Sequence, residues 1–245
     1  MNATPITFGS LFAGIGGFDL GFERAGMVCK WQVEIDDYAN RVLAKHWPNV
    51  HRERDIRETG PHNLERVDVI CGGFPCQDIS YAGEGAGLDG ARSGLFFEAV
   101  RVVRELQPRI VVLENVAALL TRGLDRVLGT LAEIGFDAEW HSLSASSLGL
   151  PHLRARLFII AYPSSEGRER PVYDNGLSRS AKAPFAVNGH RGVGEWLQMV
   201  RSRGRVRSVD GLSVGVERSR LKGAGNAVVP QIAELIGKRV VKSLQ

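Results

Sequence analysis

The chain has 245 residues, of which 44% are hydrophobic and 24% are charged, the composition of an ordinary soluble globular protein. This length accommodates one large α/β domain, or a main domain with a small appendage. The sequence has neither a basic-then-apolar leader nor an apolar run long enough to cross a bilayer, so we expect a cytoplasmic protein without a membrane partner.

The net charge of +4 is unevenly spread along the chain. Residues 164–222 hold 12 Lys and Arg against 6 Asp and Glu, a balance of +6 that leaves −2 for all other residues. Such asymmetry favours an anionic partner bound by this region, although a solvated loop would have the same composition.

The three cysteines, Cys29, Cys71 and Cys76, form no Cys-x-x-Cys pair, and the six histidines lack the spacing of a zinc site. An odd number of cysteines without a secretory leader argues against a disulfide framework and leaves room for a reactive thiol. No structural metal is expected.

A strand, a glycine-rich turn and a helix are predicted at the start of the chain. The strand covers Thr7–Phe12, the turn runs from Phe12 to Gly17, and the helix runs from about Asp19 to a capping glycine, Gly26. Glycines in such a turn let the backbone pass close to a ligand. Asp19 stands where a dinucleotide motif has its third glycine, which favours a single nucleoside such as S-adenosylmethionine. A tight turn without a ligand is the alternative.

Two acidic residues follow the next two predicted strands. The strand Val28–Val33 ends at Glu34, about twenty residues beyond the glycine turn, where ribose-binding carboxylates stand. A helix over Asp37–Trp47 is stopped by a proline, and residues 51–56 are predicted to form a short edge strand. Asp55 on this strand is a candidate for contacting an adenine amino group, or else a surface aspartate in a turn.

The next strand, Val67–Gly72, leads into the loop Gly72–Gln77, which contains a proline and a cysteine. Ligands of open α/β sheets gather at the carboxyl ends of the strands, and Pro75 stiffens the approach, so Cys76 is a candidate nucleophile. An unreactive buried cysteine is the commoner alternative. The glycines in Tyr81–Arg92 predict a mobile lid.

A second acid is predicted at the same edge of the sheet as Cys76. Apolar residues at helical spacing predict a helix over Ser93–Leu106, and the continuous apolar run Arg109–Leu113 predicts a fully buried strand. This strand delivers Glu114 to the carboxyl edge. Because an acid there is costly unless it is paired, exposed or functional, Glu114 is a candidate proton donor.

Two arginines lie at the last predicted strand pair. A helix over Asp125–Ile134 is followed by strands over Ala138–Ser144 and Arg156–Tyr162. Arg154 and Arg156 project in the same direction if the chain is extended there. They are candidates for holding a phosphate or a base edge, or else a pair of surface cations.

The segment Pro163–Val216 is rich in Ser, Gly, Arg and Pro and predicts only one helix, near Glu195–Val200. An extended conformation would place four alternating guanidiniums on one face, suited to a phosphate backbone; these are Arg201, Arg203, Arg205 and Arg207. A disordered basic loop is the alternative.

The C-terminal part of the chain predicts a turn over Lys222–Pro230 and a helix over Gln231–Ser243. The helix has one apolar face, so we expect it to pack on the main sheet and return the turn to the core. That face consists of Ile232, Leu235, Ile236 and Val240.

Taken together, these motifs resemble the motif series of the DNA (cytosine-5)-methyltransferases. In chain order the matching segments are Phe12 to Gly17, Pro75-Cys76-Gln77, Glu114-Asn115-Val116, Arg154-Ala155-Arg156 and Gly225 to Pro230. They cover residues 7–162 and 221–243. The resemblance implies an α/β fold, the Rossmann-like fold of S-adenosylmethionine-dependent methyltransferases, with a mostly parallel sheet and an antiparallel last strand. It also implies a catalytic domain over residues 1–162 and 222–245 and a short basic target-recognition region over 163–221.

The resemblance implies a binding site for S-adenosylmethionine. Its residues would be Phe12, Ala13, Gly14 and Gly16 around the glycine turn, Glu34 on the ribose hydroxyls, Ile35, Asp55 and Ile56 at the adenine, Pro75, Leu95, and Asn226 and Val228 on the C-terminal side.

The resemblance also implies the chemistry. The Cys76 thiolate would add to carbon 6 of a flipped-out cytosine, and Glu114 would protonate ring nitrogen 3. Arg156 would hold the cytosine carbonyl oxygen, with Arg154 in support, while the glycine-rich lid closes over the base. Double-stranded DNA would be the partner, contacted by the arginines from 201 to 207 and by Gln77, Ser80 and Arg92.

The interval between the Arg-x-Arg motif and the last motif is about 60 residues, small for an independent recognition module. Specificity is therefore expected to be short or relaxed, or supplied by a partner, and a cognate restriction endonuclease and a monomeric state are further expectations. Three alternatives stay open: a cytosine-5 methyltransferase of transfer RNA, although the Cys-Phe-Thr tripeptide of that subgroup is missing; a methylation-defective DNA-binding regulator; and an unrelated S-adenosylmethionine enzyme acting on a small molecule.

Overall fold

The computed structural model describes residues 4–75, 94–150, 154–164 and 227–245. The strands are β1 (Thr7–Leu11), β2 (Val28–Val33), β3 (His51–Glu53), β4 (Val69–Gly73), β5 (Ile110–Val116), β6 (Phe136–Ser144) and β7 (Ala155–Pro163). The α-helices are α1 (Gly17–Arg24), α2 (Asp37–His46), α3 (Gly94–Leu106), α4 (Leu124–Glu133) and α5 (Pro230–Leu244). Single 3₁₀ turns cover Ile56–Glu58, Ala117–Thr121 and Ala145–Leu148.

The strands form one seven-stranded sheet in the order β3-β2-β1-β4-β5-β7-β6. The strands from β3 to β5 are parallel, and the strand order reverses between β1 and β4. In open α/β sheets, this reversal opens a crevice beyond the carboxyl ends of the strands. The glycine turn follows β1 and the Pro75 segment follows β4, so both emerge at this crevice.

The expected antiparallel last strand is confirmed. β7 pairs antiparallel with both β5 and β6, and it lies between them. Because it runs against its neighbours, its first residues lie at the carboxyl edge of the other strands. The region of Arg154 and Arg156 is thereby brought to the crevice. A parallel strand would have placed these residues at the opposite edge of the sheet.

The core has two layers, one on each face of the sheet. Successive β5 residues alternate between them: Val111 and Leu113 pack with α3 and α4, whereas Ile110 and Val112 pack with α1 and α5. This period of two, with apolar residues on both faces, explains why the buried strands read as continuous apolar runs.

The predicted packing of the C-terminal helix on the main sheet is confirmed. Ile232, Ile236 and Val240 are buried, and Leu235 is half-buried. A Cβ added at Gly21 of α1 would collide with Ala233 of α5, so the two helices touch along their backbones. At Gly17 an added Cβ would collide with the backbone of Val228. The C-terminal segment therefore closes against the glycine turn.

Most element boundaries lie within two residues of the expected ones, and three differences bear on the site. The edge strand expected over residues 51–56 ends at Glu53, so Asp55 lies in the turn after β3 and not on the strand. Helix α1 begins at Gly17 rather than at Asp19, because Gly16 takes a left-handed conformation (φ 87°) and serves as the N-cap. β5 runs to Val116 instead of ending at Leu113, because the last three residues pair with β7. Glu114 therefore lies inside a strand and not beyond it.

No helix in the described ranges is long and apolar enough to cross a membrane. Among the same residues, no group of three or more His, Cys, Asp or Glu side chains is placed to hold a metal ion. The lid over Tyr81–Arg92 and the arginine row from 201 to 207 lie outside the described residues, as does the helix near Glu195–Val200.

Candidate active site

The glycine turn after β1 has an open backbone. Phe12, Gly14 and Gly16 all have positive φ values, of 51°, 57° and 87°. A Cβ added at Gly14 would meet no atom within 4 Å, so the space beside this residue is free. The Ala13 amide donates to the carbonyl of Val33 at 3.1 Å, which holds the turn against the end of β2.

Glu34 lies beside the turn, where its carboxylate is held by two backbone amides. The amide of Gly14 donates to Oε2 at 2.7 Å, and the amide of Asp36 donates to Oε1 at 2.8 Å. Each carboxylate oxygen retains a second lone pair for a further donor. The geometry thus orients an acceptor pair next to the open side of Gly14.

Ile35 follows Glu34 and is 62% exposed, more than either of the other two exposed large hydrophobic residues in the described part of the chain, Val28 and Leu120. Asp55 caps the 3₁₀ turn that begins at Ile56, accepting from the Arg57 amide at 3.0 Å. The hydrogen bonds from the Arg57 side chain and amide hold the pKa of Asp55 below its usual value. Asp55 is therefore an ionised acceptor within a turn, and its contact with an adenine stays a prediction.

The other expected cofactor residues are distributed around the same edge. Leu95 in the first turn of α3 is half-buried against the core, Pro75 is half-buried two residues after β4, and Ile56 and Val228 are buried. Asn226 lies outside the described residues, as do Cys76, Gln77, Ser80 and Arg92.

Glu114 is buried, with 7% of its surface exposed, and it lies over the end of β4. It pairs with Gly73, where an added Cβ would lie 2.9 Å from Glu114 Oε2. The absence of a side chain at Gly73 therefore makes room for the carboxyl group. Gly73 stands three residues before Cys76, so this carboxyl group lies beside the backbone that leads to the candidate nucleophile.

Asn115 is a positioning residue to which the sequence reasoning assigned no role. Its Nδ2 donates to the carbonyl of Phe74 at 3.1 Å, and its Oδ1 accepts from the Val116 amide at 2.8 Å. β5 is therefore hydrogen-bonded to the segment that leads into the Pro75-Cys76 loop. Its sequence signal was its place in the Glu114-Asn115-Val116 motif directly after a buried apolar run.

Arg156 is paired with Glu114. Its Nε lies 2.9 Å from Glu114 Oε1, and its Nη1 donates to the carbonyl of Ala155 at 2.9 Å. Burial raises the pKa of Glu114 above its usual value, against the opposing charges of Arg156 and Arg154. A carboxyl group in this setting binds a proton more readily than a solvated glutamate, while the guanidinium remains beside it as a fixed cation.

A buried acid, Asp19, lies beneath the glycine turn. The sequence motifs gave it no role beyond its position in place of a third glycine. Asp19 has no exposed surface; it accepts from Gln32 Nε2 at 2.8 Å and from the Ser10 hydroxyl at 3.2 Å. Burial raises the pKa of Asp19 to about 6. An acid inside the otherwise apolar first turn of α1 was the sequence signal for it.

Arg101 of α3 is expected to stabilise the segment that contains Ile56. Its guanidinium donates to the Ile56 carbonyl at 2.9 Å and to the carboxylates of Glu98 and Glu105. Replacing Arg101 with methionine should lower the free energy of unfolding by about 1–3 kcal/mol, because hydrogen bonds from a charged donor are lost. Urea denaturation measures the change. Arg104→Met on the exposed side of the same helix should leave it within about 0.5 kcal/mol, and equal losses in both variants would contradict the assignment.

The arrangement fits a nucleoside cofactor carrying a ribose. The open space beside Gly14 admits a ligand, the fixed carboxylate of Glu34 offers acceptors for hydroxyl groups, and the exposed side chain of Ile35 offers an apolar surface for a base.

Comparison with known proteins gives consistent matches. The family described as C-5 cytosine-specific DNA methylase matches residues 6–189. The chain is 34% identical to Type II methyltransferase M.HhaI of Haemophilus parahaemolyticus over 163 residues, covering 65% of this chain and 50% of that protein. It is 33% identical to Type II methyltransferase M.NgoBI of Neisseria gonorrhoeae over 192 residues, covering 77% of this chain and 56% of that protein. The chain thus spans about half the length of the curated relatives it matches.

The fold is also similar to the crystal structure of a mutant of DNMT2 from Spodoptera frugiperda. The TM-score is 0.66, and the match covers 96% of this chain and 99% of that one. Since the sequence identity is 14%, this likeness concerns the fold alone.

Proposed function

Because this chain belongs to the C-5 cytosine-specific DNA methylase family, we propose that it transfers the methyl group of S-adenosylmethionine to carbon 5 of a cytosine in double-stranded DNA. The observation that carries the proposal is the buried carboxyl group of Glu114, paired with Arg156 and placed over Gly73, three residues before Cys76.

The cofactor would lie in the crevice beyond β1 and β2. Glu34 would accept from the ribose hydroxyls, Ile35 and the Asp55-Ile56 segment would contact the adenine, and Gly14 would leave room for the backbone to approach. Pro75, Leu95 and Val228 would line the same pocket, together with Asn226 and the rest of the glycine turn. When bound, S-adenosylmethionine supplies an electrophilic methyl group and leaves as S-adenosylhomocysteine.

Cys76 would act as the nucleophile. Carbon 5 of cytosine is a weak nucleophile, and addition of the thiolate to carbon 6 converts the ring into an enamine whose carbon 5 can take the methyl group. Removal of the proton from carbon 5 then allows the carbon 6 to sulfur bond to break, which restores the aromatic ring and returns the thiolate to Cys76.

Glu114 and Arg156 would stabilise the charge that develops on the ring. Thiolate addition places negative charge on the cytosine, and the raised pKa of Glu114 suits it to share a proton with ring nitrogen 3. Arg156, held beside it, would donate to the cytosine carbonyl oxygen, with Arg154 adding positive charge.

The DNA contacts would come from the region beyond β7 and from the segment after Cys76. Carbon 6 is buried in stacked DNA, so the base has to leave the helix, at a cost of a few kcal/mol. Gln77, Ser80 and Arg92 would contact DNA beside the extruded base, and the arginine row would contact phosphates. We place the catalytic domain at residues 1–162 and 222–245 and the target-recognition region at 163–221.

The target-recognition region is short, so we propose that a partner contributes to sequence specificity. The region at 163–221 has only about 60 residues, small for an independent recognition module, so a specificity partner would complete the choice of sequence. We further propose a monomeric, cytoplasmic enzyme that acts beside a cognate restriction endonuclease; of these, only the endonuclease draws support from the Type II names of the relatives.

The test is to incubate the protein with radiolabelled S-adenosylmethionine and duplex DNA, transfer RNA or no nucleic acid. Label should enter duplex DNA, and mass spectrometry of the digested product should identify 5-methylcytosine. Label confined to transfer RNA would favour the RNA enzyme, and DNA binding without transfer would favour the regulator. Transfer only to small molecules, with none to either nucleic acid, would also contradict the proposal.

Replacing the arginine row is expected to flatten the salt dependence of DNA binding. We expect each arginine of the row to neutralise one phosphate. The plot of log binding constant against log salt concentration has a negative slope, and the quadruple variant, with Arg201, Arg203, Arg205 and Arg207 replaced by glutamine, should make that slope shallower by roughly 3–4. Fluorescence anisotropy with labelled duplex from low to moderate salt measures this slope.

The matched control is the double variant Arg104→Gln, Lys242→Gln, because both residues are exposed in the last turns of α3 and α5. Arg109, directly before β5, donates to the Leu244 carbonyl at 3.1 Å, which places the end of α5 at the edge of the sheet opposite the crevice. The control slope should match that of the unmodified protein. An unchanged slope in the quadruple variant would identify the arginine row as a solvated loop.

A further inference from the structure

The buried carboxylate of Asp19 lies at the centre of a polar network that the proposed reaction does not use. Ser10 of β1 and Gln32 of β2 both donate to it, and the Cys29 thiol lies 3.6 Å from Oδ1. Asp19 itself belongs to the first turn of α1. A single side chain therefore joins the helix to the two strands that flank the glycine turn.

The network continues to the far side of the turn. Gln32 Oε1 accepts from Arg52 Nη1 at 3.1 Å, and the same nitrogen donates to the Trp47 carbonyl at 2.7 Å. The indole of Trp47 fills the place where a side chain at Gly16 would lie. The glycine turn thus packs against Trp47. The position of Trp47 depends on the hydrogen bonds that run from Asp19 through Gln32 to Arg52.

We propose that Asp19 is a positioning residue for S-adenosylmethionine, holding the glycine turn of residues 12–17 against β1 and β2 in the conformation that receives the cofactor. The inference rests on the proposed function, since it concerns the same cofactor. Asp19 is fully buried and acts through the turn, so it does not touch the ligand.

The ionisation of Asp19 gives this role a pH dependence. The groups facing the carboxylate are the Ser10 hydroxyl, the Gln32 amide and the thiols of Cys29 and Cys71, with Arg52 reached through Gln32. Burial raises the pKa of both thiols, so they stay protonated. All of the nearest groups can donate, and the ionised carboxylate accepts from them, whereas a protonated Asp19 presents a competing donor. Cofactor affinity should therefore fall as pH drops below about 6.

Asparagine at this position separates shape from charge. It is neutral and carries a donor, Nδ2, in the place of one carboxylate oxygen, so it imitates the protonated acid. Asp19→Asn should therefore bind S-adenosylmethionine at pH 8 as weakly as the unmodified protein does at pH 5.5, and because the amide does not titrate, its affinity should show no decline between pH 8 and pH 5.5. Asp19→Ala removes the network's centre and should raise the Kd about tenfold or more at pH 8.

Asp68 provides a control for general destabilisation. It accepts from the Thr7 amide at 2.9 Å and hydroxyl at 3.0 Å, and it pairs with Arg109. It thus joins the first residue of β1 to the start of β4, at the end of the sheet away from the glycine turn. Asp68→Ala should lower the Tm, as Asp19→Ala does, while leaving the Kd within about twofold.

The experiment is isothermal titration calorimetry of S-adenosylmethionine into the full chain at pH 8 and pH 5.5, with the Tm of each variant recorded. A Kd of Asp19→Ala that matches that of Asp68→Ala would overturn the inference, as would an Asp19→Asn variant with the pH dependence of the unmodified protein. If Asp19→Ala does not fold, the Asp19→Asn comparison decides alone.

The same experiment separates this inference from the proposed function. An unmodified protein that binds no S-adenosylmethionine would contradict both. An unmodified protein that binds it and methylates DNA, with Asp19→Ala no weaker in affinity than Asp68→Ala, would contradict only the role of Asp19.

Discussion

Replacing Cys76 with serine is expected to lower methyl transfer to duplex DNA by at least about 10³-fold, while S-adenosylmethionine still binds. The hydroxyl of serine is a far weaker nucleophile than a thiolate near neutral pH, so the attack on carbon 6 of cytosine fails. Single-turnover transfer of labelled methyl groups measures the loss, and calorimetry with S-adenosylmethionine measures cofactor binding separately.

Cys71→Ala is the matched control for Cys76→Ser. Cys71 is fully buried, and burial raises the pKa of its thiol well above its usual value, so it is not a nucleophile. This variant should keep transfer within about tenfold, allowing for a modest loss of stability. Undiminished transfer by Cys76→Ser would contradict a covalent mechanism through this residue.

A chemical trap tests the same step without mutation. Duplex DNA with 5-fluorocytosine at the target position should form a complex that survives denaturing electrophoresis, because fluorine cannot leave carbon 5 as a proton does and the carbon 6 to sulfur bond then persists. The complex should require S-adenosylmethionine and be lost in Cys76→Ser. Its formation by Cys76→Ser would show that another nucleophile is used.

Glu114→Gln is expected to lower kcat for transfer by about 10²–10⁴-fold, the range of a lost general acid. The amide keeps nearly the same size over Gly73 but cannot give a proton to ring nitrogen 3. Because burial raises the pKa of Glu114, the protonated form persists to higher pH than in a solvated glutamate. The rate that depends on it should fall as pH rises through the pKa of the folded protein, and Glu114→Gln should lack this limb.

The stability of the folded protein should change with pH in the same direction as the rate. A carboxyl group whose pKa is raised by folding contributes to stability fully at pH values below its unfolded pKa, and that contribution is lost as pH rises through the folded pKa. The glutamine side chain keeps nearly the same size over Gly73 and an oxygen that can accept from Arg156, so Glu114→Gln should unfold at a Tm close to that of the unmodified protein, and a large loss of kcat then cannot be assigned to unfolding.

Glu139 supplies the matched control. It lies on β6, and burial likewise raises its pKa, to about 7. It pairs with Ile160 of β7, four positions along that strand from Arg156. Glu139→Gln should keep kcat within about threefold. A Glu114→Gln variant that retains kcat within tenfold would remove Glu114 from the role of proton donor.

Much of the architecture could be predicted from local patterns. The continuous apolar run of β5 and the period of 3.6 in α3 are set by which residues are apolar, so the type and approximate position of both elements are readable. Gly26 likewise marks the end of α1, because its positive φ of 89° suits a residue without a side chain. These are properties of neighbouring residues, and they need no knowledge of the rest of the chain.

The misplaced end of β5 depends on distant partners. Asn115 and Val116 are strand residues only because Leu157 and Arg156 of β7 pair with them. The role of Asn115 also depends on the Phe74 carbonyl, which lies 41 positions earlier in the chain. Periodicity within a short window carries no information on such partners.

By itself, the sequence determined the family, the motif residues and their chemical types. The order of the glycine turn, Pro-Cys, Glu-Asn-Val and Arg-x-Arg can be read along the chain without any knowledge of the fold. Only the tertiary structure decided how these groups act on each other. The antiparallel β7 brings Arg156 within 2.9 Å of Glu114, and the convergence of β1, β2 and α1 buries Asp19 beneath the glycine turn. The physical reason is that ion pairing and desolvation depend on distance and burial, which arise only when strands far apart in the chain share one sheet.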